Sequence, residues 1–144
     1  MFRLSNLIKS TLENQKSRTL NGSIMIWNFT NRCNLLCHHC YSKADANEKD
    51  TLTFEEIEQT ISKLKVGGVN FVIFSGGEPL LRKDIFDIAR VMKENNIMTY
   101  LSTNGIYVSP KNVDQIIETF NYIGISIDGI EEIHDQFRGQ KGAY

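Results

Sequence analysis

The sequence predicts an α/β fold: a parallel sheet curved into a partial (β/α) TIM-like barrel. Three observations predict it. Apolar strand-like runs alternate with helical stretches in the order βαβαβαβ, which parallel strands joined by right-handed crossovers satisfy. Each of the four strand-like runs is followed by an unusual polar or small-residue cluster; parallel strands gather such ends on one rim, where these folds build sites. All the cysteines (Cys33, Cys37 and Cys40) fall inside "CNLLCHHC", just after the first strand.

The opening "MFRLSNLIKSTLENQKSRTL" carries Leu4, Leu7, Ile8 and Leu12 at near-helical spacing. It predicts an N-terminal helix or arm over residues 1–20, ahead of a core over 21–144. It lacks the continuous apolar centre and small-residue cleavage site of a secretory signal. No stretch approaches the roughly 20 apolar residues of a membrane span. "SIMIWNF" (23–29) reads as the first strand, with Trp27 and Phe29 as core. The first helix opens on a capping box, Thr53 with Glu56, presents Phe54, Ile57, Ile61 and Leu64 on one face, and stops at Gly67–Gly68. "FVIFS" (71–75) is the second strand. Asp84 is the expected cap of the next helix, whose inner face is Ile85, Ile88, Ala89 and Met92. "IMTYLS" (97–102) is the third strand. Ser109–Pro110 is the expected opening of a helix with Val113, Ile116, Ile117 and Phe120 turned inward. "YIGISI" (122–127) is the fourth strand. His134 is read at a helix start, and a fourth strand-following helix is expected to begin near Ala143–Tyr144.

The 144 residues suit one ordinary domain, and 41% hydrophobic with 23% charged residues is a globular composition. Sixteen basic against 17 acidic residues leave a net charge of −1, so no general grip on nucleic acid or an anionic membrane is expected. An odd number of cysteines in one octet is no disulfide framework; it points to a reducing, cytoplasmic compartment and a metal role.

Thiolates bind zinc, copper(I) or iron–sulfur clusters. A closed zinc site takes four ligands. His38 or His39 can supply the fourth only by bending back between two cysteines. A 4Fe–4S cube normally takes four cysteines; three leave one iron with an open position, the mark of a reactive metal.

"CNLLCHHC" carries the CxxxCxxC pattern, and "SGGEPLLR" (75–82) follows the second strand. Together they resemble the radical S-adenosylmethionine (radical SAM) enzymes. The resemblance implies that Cys33, Cys37 and Cys40 hold a 4Fe–4S cluster whose fourth iron chelates S-adenosylmethionine. Reductive cleavage then yields a 5′-deoxyadenosyl radical that takes a hydrogen atom from a substrate. Gly76 and Gly77 are expected to let backbone approach the cofactor, and Glu78 to accept its ammonium group, held extended by Pro79. Ser102, Asn104, Ser126 and Asp128 resemble positions near the methionine part, ribose or substrate. Arg138 suits the cofactor carboxylate, and His39, or Tyr41, stacking on adenine. No catalytic residue is assigned.

"IWNFTNRCNLLCHHCYS" and "GISIDGIEEIHDQFRGQKGAY" resemble the haem d1 biosynthesis (NirJ-type) and alternative haem pathway members of that family, which implies a tetrapyrrole substrate and an electron donor such as flavodoxin or ferredoxin. Peptide-modifying maturases share these stretches, and a non-catalytic iron–sulfur or zinc-binding module is the other reading. Family members usually carry six strand–helix units and, in this subgroup, further cysteines. The chain is therefore expected to be the N-terminal part of a larger whole, truncated after about four strands. Its last strand would have an open edge, with poor cluster binding and turnover unless a C-terminal half joins it.

Overall fold

The computed structural model describes residues 22–144; the expected arm over 1–20 lies outside them. Four strands form one parallel sheet in the order of the chain: β1 Ser23–Thr30, β2 Val69–Gly76, β3 Met98–Thr103 and β4 Tyr122–Ile125. The helices are α1 Phe54–Val66, α2 Ile85–Glu94, α3 Val113–Thr119 and α4 Glu131–Arg138, with a short 3₁₀ turn at Pro79–Leu81. The α/β partial-barrel expectation holds.

Strand periodicity sorts the side chains. Trp27, Phe74, Leu101 and Ile123 share one row across the sheet, and alternate residues face one way. On the helix side, Trp27, Phe29, Val72, Phe74 and Leu101 bury against Ile57 and Ile61 of α1, Ile85, Ile88 and Met92 of α2, and Ile116 of α3. Trp27, Phe29 and Phe74 stack in series at ring centroid distances of 4.5 and 4.4 Å. The other face grades along the strands from apolar (Ile24, Phe71, Met98) to polar (Asn28, Ser75, Ser102) as the C-terminal rim approaches.

The capping box of α1 is present: the Glu56 amide donates to Thr53 Oγ1, and the Thr53 amide donates to Glu56 Oε2. Six expectations need correction. Asp84 makes no side-chain cap, because its carboxylate instead takes both Nε and Nη2 of Arg82 at 2.7 and 3.0 Å. The third helix begins at Val113, not at Pro110, because Asn112 Oδ1 accepts the Ser109 amide and holds 109–112 in a turn; Ile117 faces outward at 61% exposure. The strand β4 ends at Ile125, two residues early. The fourth helix is complete by Arg138, and His134 is buried in its middle rather than at its start.

Candidate metal and cofactor site

The residues between β1 and α1 form a long loop that is pinned at its base. Its Cys33 amide donates to Asp45 O and its Asp45 amide to Asn31 O, closing a small loop around the cysteines. Cys33, Leu35 and Ala44 bury together with Ala143, and Cys37 and Cys40 pack on them. A second anchor comes from α4, where the His38 amide donates to Phe137 O at 3.0 Å.

Gly76 and Gly77 sit where β2 leaves the sheet. The Gly77 and Glu78 amides donate to Thr30 O and Arg32 O at 2.7 and 2.8 Å. Gly76 has φ +127, and a β-carbon there would lie 2.2 Å from Thr30 O; one on Gly77 would lie 2.1 Å from Arg32 O. Glycine is needed here because the backbone of β1 and of the loop just after it is this close. Pro79 does follow an extended Glu78.

Glu78 is fully buried. Its Oε1 accepts from the Leu80 amide and the Thr103 hydroxyl, and its Oε2 from the Asn104 amide at 2.8 Å. Burial pushes its pKa above the ordinary carboxylate value, against those hydrogen bonds. Asn104 passes the connection on, its Nδ2 donating to Asn34 Oδ1 at 2.9 Å. A carboxylate thus ties the ends of β2 and β3 together, and an amide ties both to the cysteine loop.

A cavity of about 460 Å³ opens at the C-terminal ends of the strands, a size in the range of small-molecule sites. All three cysteines line it, with His39 and Tyr41 from their loop, Gly76 and Gly77 from β2, Ser102 and Asn104 from β3, Ser126 and Asp128 after β4, and Arg138 from α4. Glu78 alone among the predicted site residues does not; it lies beneath the wall. Sequence reasoning missed Ser75, Tyr100 and Gly124, which form the floor. Strand alternation could have found them, since Ser75 and Ser102 share the interior face. It also missed Arg82, whose buried guanidinium donates to Phe29 O and Leu52 O and so joins β1 to the far end of the cysteine loop. His134 was misread: its Nδ1 accepts the Asp128 amide at 3.2 Å.

The thiols differ. Burial pushes Cys33 up. Burial acts the same way on Cys40, but hydrogen bonding from the Ser42 hydroxyl and nearby amides outweighs it and lowers that thiol. Arg138 Nη1 lies 3.8 Å from Cys37 Sγ. Arg138 Nε lies 2.7 Å from Asp128 Oδ2, though its N–H does not point along that line, so the contact is an ion pair without hydrogen-bond geometry. His39 Nε2 is 3.9 Å from the same oxygen.

The donor set fits an iron–sulfur cluster. Three thiols face one cavity, yet among the described residues no three His, Cys, Asp or Glu side chains converge to hold a single metal ion. A cube presents its irons at separate corners, so its cysteines do not have to meet at a point. Among the described residues no helix is long and apolar enough to cross a membrane.

The comparisons with known proteins agree. The chain is 41% identical over 149 aligned residues to the pre-heme d1 synthase of Dinoroseobacter shibae, covering 100% of this chain and 37% of that protein. It is 40% identical over 123 residues to the Fe-coproporphyrin III synthase of Methanosarcina barkeri, covering 84% of this chain and 31% of that protein. It spans about a third of the length of these curated relatives. Streptococcus suis SuiB, solved bound to S-adenosylmethionine, superposes with a TM-score of 0.69 at 20% identity, over 95% of this chain and 33% of SuiB. SuiB bound to its precursor peptide SuiA gives 0.71, also at 20%, over 95% and 32%; at that identity the likeness shows the fold. Residues 27–144 match the Radical SAM superfamily, a family of enzymes that use a 4Fe–4S cluster and S-adenosylmethionine, and the chain belongs to it.

Proposed function

We propose that this chain forms the cluster- and cofactor-binding part of a radical SAM enzyme acting on a tetrapyrrole. The observation that carries the reading is convergence: three cysteines and the ends of β2, β3 and β4, far apart in sequence, line one cavity. Cys33, Cys37 and Cys40 would hold the cluster. When bound, the cluster and S-adenosylmethionine supply one-electron cleavage of the sulfonium and a 5′-deoxyadenosyl radical.

The chain's own residues bind and orient. Gly76 and Gly77 form the wall beside the cysteines. The Gly77 amide is engaged with β1, and Glu78 acts by fixing Asn104. Ser102, Asn104, Ser126 and Asp128 offer hydroxyl, amide and carboxylate groups to a zwitterionic, ribose-bearing cofactor, with the exposed His39 and the buried Arg138 also lining the cavity. The tetrapyrrole reading is supported by relatives whose names are those of haem-pathway synthases. A peptide substrate has only the fold likeness to SuiB behind it. A low-potential donor such as flavodoxin or ferredoxin would supply the electron.

Anaerobic loading of the full chain with iron and sulfide tests this. The expected result is a partly loaded brown protein whose reduced-cluster electron paramagnetic resonance signal changes on adding S-adenosylmethionine, and is lost in Cys37→Ala. A colourless protein holding one tight zinc ion overturns it. Stimulation of S-adenosylmethionine cleavage by a peptide but by no iron or sirohaem-derived tetrapyrrole overturns the substrate class alone.

A further inference from the structure

Among the described residues Arg138 is the one permanent cation lining the cavity, and it is nine-tenths buried. It is the last residue of α4, followed by Gly139 in a left-handed cap. Two contacts fix its guanidinium. Asp128 Oδ2 lies 2.7 Å from Nε on one side, and Cys37 Sγ lies 3.8 Å from Nη1 on the other. Asp128 is itself held, since its amide donates to the buried His134 Nδ1. The Asp128 contact is an ion pair without a directed hydrogen bond, while the N–H of Nη1, held in the plane of the rigid fork, is directed at a cysteine sulfur.

We propose that Arg138 is a positioning residue that sets the reduction potential of a cluster held by Cys37. The inference rests on the cluster reading above. A ligand thiolate gains negative charge when the cluster takes up an electron. A cation within hydrogen-bonding reach of that sulfur stabilises the reduced state more than the oxidised one, and charge and hydrogen bonds at the sulfurs are among the main determinants of cluster potential. The Asp128 carboxylate is not a competing sulfur contact. It turns the pair into a dipole with its positive end toward Cys37, which weakens the field but fixes its direction. His134 and Asp128 act at one remove, by keeping the guanidinium in register.

The test is a potentiometric titration of the loaded full chain, followed by electron paramagnetic resonance, for wild type, Arg138→Gln and Arg138→Lys. Iron and sulfide content come first: wild type without a cluster overturns this proposal together with the reading it rests on. With clusters present, Arg138→Gln is expected to be about tenfold harder to reduce, a shift of ~59 mV to lower potential for one electron. Arg138→Lys keeps the charge and is expected to recover most of that shift. An unchanged potential in Arg138→Gln, or equal shifts in both variants, overturns the proposal while leaving the cluster reading standing. If Arg138→Gln fails to retain iron, guanidino-¹⁵N arginine labelling decides. A nitrogen coupling to the reduced cluster, present in wild type and absent in Arg138→Lys, supports the proposal; no such coupling in wild type overturns it.

Discussion

The helix side of the sheet and its C-terminal rim are made from the same four strands, yet they are held together differently. On the helix side, Phe74 and its neighbours are buried by mutual contact, and none needs a particular partner atom. At the rim, single polar groups gather several backbone amides: Glu78 takes those of nearby Leu80 and distant Asn104, and Asp135 those of Gly142, Ala143 and Tyr144. Apolar packing depends on volume and tolerates conservative exchange. A carboxylate holding several donors depends on atom identity, because an amide of the same shape presents N–H where an acceptor is required. The core fixes that a sheet exists; the rim fixes where its ends point.

The largest expected effect breaks the first region. Phe74 is fully buried, stacked on Phe29 and edge-on to Phe120 at 5.3 Å. Phe74→Ala should cost about 3–5 kcal/mol, read as a fall in the urea midpoint with little change in slope. Phe74→Leu should recover more than half. A loss near 1 kcal/mol would mean that the core is loosely packed and that the contrast with the rim is false.

Most of that first region was legible in the sequence. Helical spacing placed Ile57 and Ile88 inward, apolar runs placed Phe74 and Leu101 in strands, and local chemistry gave the capping box at Thr53. The same patterns misplaced Ile117, since a period says which residues share a face but not how a short helix rolls on its neighbours. At the rim, the cysteine spacing and the Gly-Gly-Glu-Pro run revealed where the site is. They could not reveal which way Glu78 turns. That is decided by Thr103 and Asn104, 25 and 26 residues on, and by an Asn34–Asn104 bond spanning 70 residues. The helix opening at Ser109–Pro110 and the role of His134 were misjudged for the same reason: the Ser109 amide and the His134 ring are satisfied by partners that only the folded loop supplies.

The middle effect sharpens the comparison at Glu78. Glu78→Gln leaves its volume unchanged but turns one acceptor end into a donor facing the Thr103 hydroxyl or the Asn104 amide. The expected cost is about 1–3 kcal/mol, with amide shifts displaced at Asn104 and Gly105. The pH dependence is more specific. Burial raises Glu78 in the folded chain above its ordinary 4.5, so the folded state keeps the proton longer than the unfolded state does. Its stabilising contribution is complete below 4.5 and is lost as pH rises through the raised value. Wild type should therefore lose stability relative to Glu78→Gln across that window. Parallel urea midpoints for the two chains from pH 4 to 8 would refute the assignment.

The smallest effect is local. Asp135 is partly exposed, and its carboxylate accepts the amides of Ala143 and Tyr144 at 2.9 and 3.0 Å as well as that of Gly142. Those bonds, the Gly142 amide foremost, hold its pKa below the ordinary 3.8. Here the sign is opposite to Glu78: the contribution is complete above 3.8 and is lost as pH falls through the depressed value. The turn it organises seats Ala143 against Cys33, Leu35 and Ala44, so the carboxylate reaches the cysteine loop through one methyl group. Asp135→Asn should leave the urea midpoint almost unmoved, because solvent reaches a partly exposed acceptor and replaces most of what it gives up. It should instead shift the amide resonances of Gly142 to Tyr144 and raise their exchange rates, with smaller shifts at Leu35 and Ala44. In wild type those three amides should titrate together, with a midpoint under 3.8. Separate midpoints would mean that the turn is held by its own backbone, and that the rim, like the core, does not depend on a single acceptor there.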